Sequence, residues 1–224
     1  MPQPTSQTFS TKHFLAPSHP NAFPPTQLTH CHTGITGFIA SHVALLALSE
    51  GHRVRGTIRR SSLHKAETIR KAFVKQDLDR TIVEQNLEFF PVENENTLFS
   101  EDIWHHLFKD ADGVAPVAFP IDGEFKHALI DKAVNGTIAM LRVASQTPNV
   151  KRLTSIMVAA FMFPNYTEAP ITVEDWNDDA VRVVYDEEPA EKYPSVQKSG
   201  PLTGYAASKV VIGRTVFAFM EKER

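Results

Sequence analysis

A doubly wound α/β fold with a parallel sheet is the class this sequence predicts, and two observations carry it. From Thr33 onward, short β-like runs alternate with helical stretches long enough to cross back over a sheet. A glycine-spaced turn, Thr33-Gly34-Ile35-Thr36-Gly37, opens the first of those helices, where a backbone can approach a pyrophosphate at a helix N-terminus.

The elements follow in order. Phe38 to Glu50 is apolar at helical spacing, and Gly51 is its C-terminal stop. His52 to Arg59 reads as a strand, and Ser62 to Lys75 as a helix with Ser61 or Ser62 as N-cap. Leu87 to Val92 is a strand, Leu98 to Phe108 a helix, and Gly113 to Phe119 a strand. Glu124 to Ser145 is long enough for one helix, interrupted at Gly136. Val150 to Ala160 is the next strand, Pro164 to Pro201 a loop rich in acids and prolines, and Gly204 to Lys222 the last helix. The segment before Thr33, Thr26-Gln-Leu-Thr-His-Cys-His32, has one strong hydrophobe. A strand buried on both faces should read as a near-continuous Val/Ile/Leu run, so this segment is a poor match for the first strand.

The 224 residues can bury one substantial core. Hydrophobic content of 42%, charged content of 22% and a net charge of -3 are ordinary for a globular chain and give no support to nucleic-acid binding. The single cysteine, Cys31, excludes an internal disulfide framework and points to a reducing, cytoplasmic setting. No stretch reaches the roughly 18 apolar residues of a membrane span. Residues 1–49 hold no Asp, Glu or Arg, and six of the 15 prolines fall in the first 25 positions. Residues 1–26 therefore read as a disordered Pro-rich leader, and 27–224 as the folded domain. His30 and His32 could share one face of a strand, but a full ligand set is missing and no metal is expected. His105 and His106 read as a surface pair, and the acids between Glu174 and Glu188 as solvated.

The turn after the first strand of such a sheet lies at the edge where dinucleotides bind. Gly34 allows the tight turn, Gly37 removes a side chain facing the phosphates, and Ala40 lets the helix lie close to the sheet. The second strand ends Arg59-Arg60, Lys65 follows, and no carboxylate appears between Gly51 and Lys65. An acid there would favour NAD, whereas Arg59, as a planar fork, and Lys65, as a point charge, suit the 2'-phosphate of NADP(H). Tyr205 and Lys209 stand at i and i+4 on the last helix, a phenol and an ammonium on one face.

These residues resemble the extended short-chain dehydrogenase/reductases, nearest to the dihydroflavonol reductase and fungal aldehyde/ketone reductase branch, a set akin to the NAD-dependent epimerase/dehydratases. The matching pieces are Thr33 to His42, Gly51 to Arg59, Asp131-Lys-Ala-Val-Asn-Gly-Thr137, Glu174-Asp-Trp-Asn177 and Tyr205-Ala-Ala-Ser-Lys209. The resemblance implies a Rossmann-like nucleotide-binding domain in which Gly34, Thr36, Gly37, Phe38, Ile39, Arg59, Lys65 and Lys209 hold NADP(H). It also implies that Tyr205 protonates the carbonyl oxygen and that Lys209 holds the nicotinamide ribose and lowers the tyrosine pKa. Asn135 would kink its helix and steady a water near the lysine.

Three positions depart from the family pattern. Ile156 falls where the resemblance puts a catalytic serine, which leaves Ser155 as the candidate donor if the register shifts by one. Pro116 would remove a ladder donor from the fourth strand, and Phe119 would project a ring toward the cofactor channel. Relatives also continue for roughly another hundred residues, a domain-sized piece, so most of the C-terminal substrate domain is expected to be lacking. Two readings follow. One is an NADPH-dependent reductase of an aldehyde, ketone or flavonoid-like carbonyl substrate. The other is a catalytically impaired or truncated relative that binds nucleotide weakly or self-associates through an open sheet edge.

Overall fold

The computed structural model describes residues 27–94, 97–98, 100–118, 127–154, 172, 174–193, 196 and 202–222. Five parallel strands form one sheet in the order β3-β2-β1-β4-β5: β1 Thr29–His32, β2 Arg53–Arg59, β3 Leu87–Val92, β4 Gly113–Ala115 and β5 Arg152–Leu153. The helices are α1 Phe38–Ser49, α2 Ala66–Lys75, α3 Arg80–Asn86, α4 Glu101–Leu107, α5 His127–Gln146, α6 Asp178–Tyr185 and α7 Leu202–Lys222. The strand order reverses between β1 and β4, and the crevice at such a switch point is where this architecture binds ligands.

Each face of the sheet has its own core. Ile35, Ala44, Leu48, Val54, Ile58, Phe73, Val83 and Leu87 pack β2 and β3 against α1, α2 and α3. Cys31, Trp104, Leu107, Phe108, Val114, Leu141 and Val143 pack the opposite face against α4 and α5. A third cluster, Ile130, Ala180, Val196, Ala206 and Ala207, joins α5, α6 and α7. Arg55 ties β2 and β3 to α4: it ion-pairs with Glu88 (2.7 Å) and donates to the Leu107 and Lys109 carbonyls at the end of α4. A cation there satisfies the orphan carbonyls of a helix C-terminus.

Helix ends follow local chemistry. Gly51, at φ +81°, closes α1 in a Schellman arrangement, with Gly51 N–H donating to the Leu48 carbonyl and His52 N–H to that of Ala47. Asp79 caps α3 by accepting from Thr81 N–H (2.7 Å), bonds that hold its carboxyl below the usual range. Asn177 caps α6 through Ala180 N–H (3.3 Å).

Several expectations are corrected. The helix expected over Ser62 to Lys75 begins as a 3-10 turn, Arg60–Lys65, and neither Ser61 nor Ser62 caps α2, whose N-cap is Lys65. The helix expected from Leu98 starts at Glu101. β4 stops at Ala115, so Pro116 ends the strand rather than breaking its ladder; Phe119 lies outside the described residues. α5 runs unbroken through Gly136. The expected loop from Pro164 to Pro201 contains α6 and a 3-10 turn at Ala190–Lys192, and α3 had no counterpart in the expectation. β5 is described only at Arg152–Leu153, and the remainder of the strand expected to Ala160 lies outside the described residues beyond Thr154.

The segment before Thr33 does form the central strand. Its register pairs His30 with Val54 and Gly113, and His32 with Gly56 and Ala115. Cys31 enters the α4–α5 core, its thiol donating to the Leu107 carbonyl and pushed up to about 12 by burial. His30 and His32 point the other way, as alternation along a strand requires. His30 has His52 (ring centroids 5.1 Å) and His32 (6.3 Å) as ring neighbours, and Asp112 beside it takes the Thr29 N–H. Among the described residues no trio of His, Cys, Asp or Glu is arranged to hold a metal ion. No helix among them is long and apolar enough to cross a membrane.

Burial holds the His30 imidazole below its ordinary value, and drives that of His32, which is 2% exposed, down to about 4. An unfolded chain therefore binds protons that the folded chain refuses between pH 6.5 and 4. Stability should be unaffected by His32 above pH 6.5 and fall by up to ~3 kcal/mol as the pH drops through 4. Chemical denaturation across pH 4 to 7 should show a shallower acid loss for His32→Val than for the unaltered chain. Gly56 gives a second expectation. A Cβ there would lie 2.3 Å from Ile35 Cδ1 and 2.6 Å from its Cβ, so Gly56→Ala should cost ~1–3 kcal/mol in the same measurement.

Candidate active site

The β1–α1 turn is the floor of a cleft of about 570 Å³ at the carboxyl edge of the sheet. Gly34 sits at φ +66°, and a Cβ on it would stand 2.8 Å from that of Ala118. Only glycine combines that backbone with that clearance. Hydrogen bonds hold the turn from both neighbouring strands. Gly34 N–H donates to Thr57 Oγ1 (2.8 Å) and Ile35 N–H to the Thr57 carbonyl (3.0 Å). On the other side, Thr33 N–H donates to the Ala115 carbonyl (3.2 Å), and Thr33 Oγ1 accepts from Ala118 N–H (2.7 Å). Gly37 N–H closes the turn on the Gly34 carbonyl (2.8 Å) and N-caps α1 without a side chain. The first N–H groups of α1 therefore face the cleft with no side-chain cap, the arrangement that accepts an anion.

The cleft runs from the ends of β2 and β3, marked by Arg59 and Val92, past Gly34, Thr36, Gly37, Phe38 and Ile39 to Tyr205 and Lys209 on α7. Phe38 is 80% exposed and Ile39 49%. Arg59 lines the cleft, whereas Lys65 is exposed at the far end of the 3-10 turn and is not part of the wall. Arg60 pairs with Glu93 across the ends of β2 and β3. Asn135 is on the exposed side of α5, while Ala133, Gly136, Thr137 and Met140 line the cleft, and α5 is helical through both Asn135 and Gly136. Ser155 and Ile156 lie outside the described residues; Leu153, two positions earlier, lines the cleft.

Tyr205 and Lys209 are brought together as their spacing requires. Lys209 Nζ lies 5.4 Å from the centre of the Tyr205 ring. The face of α7 behind them is locked by Ala206, Ala207 and Val210, all fully buried. Lys209 is only 9% exposed, and burial lowers its ammonium to about 8. Burial also holds the Tyr205 phenol above its ordinary value, opposite to the lowering that the resemblance implied. Desolvation penalises whichever form carries charge, so it favours the neutral phenol and the neutral amine alike. Near pH 7 the phenol keeps its proton, and the lysine, with a value near 8, remains mostly a cation. Near neutral pH the pair is thus a neutral phenol beside a positive charge.

Thr33, Thr57, Gly56 and Ala118 escaped sequence reasoning. Thr57 and Gly56 sit inside a strand that reads as ordinary, and their partners Gly34 and Ile35 are more than 20 positions away on another element. A small residue in mid-strand was the available signal for Gly56, since it marks a close backbone approach.

A family model described as the NAD dependent epimerase/dehydratase family matches residues 33–224. The NAD-dependent epimerase/dehydratase terH of Aspergillus terreus is 31% identical over 195 residues, covering 86% of this chain and 53% of that protein. Aldehyde reductase 2 of Sporidiobolus salmonicolor is 30% identical over 196 residues, covering 86% and 52%. The chain thus spans about half the length of these curated relatives. Among solved structures, vestitone reductase from alfalfa superposes with a TM-score of 0.63 at 21% identity, covering 87% of this chain and 53% of that one. The yeast methylglyoxal/isovaleraldehyde reductase Gre2 complexed with NADPH gives 0.63 at 24%, covering 88% and 54%. The fold, the glycine turn at the switch point and a family match over residues 33–224 agree: this chain belongs to the NAD dependent epimerase/dehydratase family.

Proposed function

We propose that this chain carries the nucleotide-binding half of an NADPH-dependent reductase of a small aldehyde, ketone or flavonoid-like carbonyl. The observation that carries the reading is one continuous cleft with Gly34 and the α1 N-terminus at its centre, Arg59 at one end and the Tyr205–Lys209 pair at the other. The residues present suit a dinucleotide. The turn leaves no room for a side chain at Gly34, α1 offers uncapped N–H groups to a pyrophosphate, and Arg59 can fork onto a 2'-phosphate. The names of the relatives, an aldehyde reductase and ketoreductases among them, support carbonyl chemistry.

When bound, NADPH supplies the hydride. The chain's own task is to hold the carbonyl oxygen near the Tyr205 hydroxyl and to give it that proton. Lys209 stabilises the phenolate left behind and offers its ammonium to a ribose hydroxyl. Ser155 is the proposed second donor to the carbonyl. Lys65, mobile about its long stem, is proposed to add charge near the 2'-phosphate from outside the wall.

A second reading is a nucleotide-binding module that pairs with another polypeptide. Ile39, Val43 and Leu46 favour it, because they form an exposed apolar stripe on α1 at helical spacing. Light scattering at rising concentration separates the readings' consequences: a constant monomer mass with full turnover removes this one.

Tyr205→Phe should lower carbonyl reduction by ~100- to 10,000-fold while NADPH titrates as before, as measured by steady-state absorbance and by fluorescence titration. Unchanged turnover would remove Tyr205 from the chemistry. Arg59→Ala should weaken NADPH by about ten- to a hundredfold and leave NADH nearly unchanged, a split that equal losses for both would refute.

A further inference from the structure

Asp131 on α5 and the Glu174-Asp-Trp-Asn177 segment are among the matching pieces of sequence, yet neither lines the cleft. Both meet at α6. At the first residue of that helix, Asp178 receives Arg214 of α7 as a two-point fork. Nη1 reaches Oδ1 at 2.8 Å and Nη2 reaches Oδ2 at 3.0 Å. The Arg214 guanidinium also lies over the Trp176 ring, 5.4 Å from its centre. Phe217, three residues further along α7, meets the same ring edge-on at 6.0 Å. At the last residue of α6, the Tyr185 hydroxyl donates to Asp131 Oδ1 on α5 (3.2 Å). The helix is therefore tied to α7 at one end and to α5 at the other.

The direction of the first tie matters. Arg214 stands nine residues after Tyr205, and at about 100° per residue it projects from the opposite side of α7. Ala207 and Val211 belong to the same back face, in the cluster that holds Ala180 of α6. Small side chains let two helices approach closely but offer shallow ridges, so rotation and sliding are weakly fixed by them alone. A planar fork with a ring stacked on it supplies the direction and the axial position that alanines lack. With side chains 51% and 41% exposed, this ion pair adds little to stability. Tyr205 and Lys209, on the front of the helix, turn with it. Lys209 is 9% exposed, and a rotation that carried it outward would rehydrate an ammonium that burial lowers to about 8.

We infer that α6 is a brace between α5 and α7, and that Arg214, held by Asp178 and Trp176, is a positioning residue that sets the rotation of α7 and so the aim of Tyr205 and Lys209 into the cleft. Arg214 itself lies outside the cleft wall. Its effect on turnover rests on the reading of Tyr205 and Lys209 as the reacting pair. Its effect on the surroundings of Lys209 does not.

The test uses the full chain with Arg214→Met and Arg214→Lys. Arg142→Met is the control, because it removes another exposed ion pair, to Glu101 on α4. Three quantities are read for each chain: kcat and KM for NADPH with a panel of small aldehydes, the thermal midpoint, and the titration of Lys209. The titration is followed by NMR after carbon-13 methylation of the lysines, with Lys209→Arg assigning the signal. Arg214→Met should lower kcat by roughly 10- to 100-fold at unchanged KM for NADPH. It should also move the Lys209 titration up from about 8 toward the ordinary lysine range, with a thermal midpoint like that of the control. Arg214→Lys keeps the charge but loses the fork, and should fall between the two. An unchanged Lys209 titration in Arg214→Met would overturn the assignment, and so would an equal change in Arg142→Met. A Lys209 that titrates as an ordinary lysine in the unaltered chain would overturn it as well. An unaltered chain that reduces no aldehyde would overturn the reductase reading alone, since the Lys209 titration still decides the role of Arg214.

Discussion

The chain's passage from β1 into α1 is the constraint on which the rest depends. Two contacts there have almost no clearance: Gly34 against Ala118 and Gly56 against Ile35. Ile35, fully buried, occupies the volume that a side chain on Gly56 would need. The turn therefore docks into the sheet's own surface rather than arching over it. Thr57 on β2, and Ala115 and Ala118 at and beyond the end of β4, then fix its height from the two sides. With the turn fixed, the first N–H groups of α1 can face only the crevice between β1 and β4. A dinucleotide cradle is thus a packing result before it is a binding result.

The same logic of burial sets the chemistry at the other end. α7 is held by small residues, Ala206 and Ala207, that let it approach α5 and α6 closely. That closeness is what takes Lys209 out of water. Moving an ammonium out of water has a free-energy cost, which shows as its lowered pKa, and the neighbouring phenol feels the same dry surroundings in the opposite sense. Perturbed titratable groups set side by side in a cleft are the kind of pair that clusters at functional sites.

The central strand shows how far a fold can depart from its usual composition. Thr29–His32 has little of the branched aliphatic content of a doubly buried strand, yet it pairs on both sides. Cys31 supplies the hydrophobe on one face, and neutral imidazoles fill the other. Backbone pairing with β2 and β4 is indifferent to side-chain type, so neighbouring strands can impose the element. The penalty is displaced into pH sensitivity, since those imidazoles stay buried only while uncharged.

The repeating pattern and the turn chemistry were determined by the sequence alone. Alternation of strand and helix gave the parallel sheet, Gly51 marked the end of α1, and i, i+4 spacing placed Tyr205 above Lys209, because each depends on residues within a turn or two of one another. Arg59 was legible for the same reason, as the end of a strand that follows the glycine turn. Tertiary structure decided what depends on distant partners. It made a strand of a polar segment, ended β4 at Ala115, kept α5 helical through Gly136, and set the phenol of Tyr205 above its ordinary value by burial. It also left Lys65 outside the cleft and put Trp104 inside it. Burial and pairing arise from neighbours that are far apart in the chain, and no local pattern carries that information.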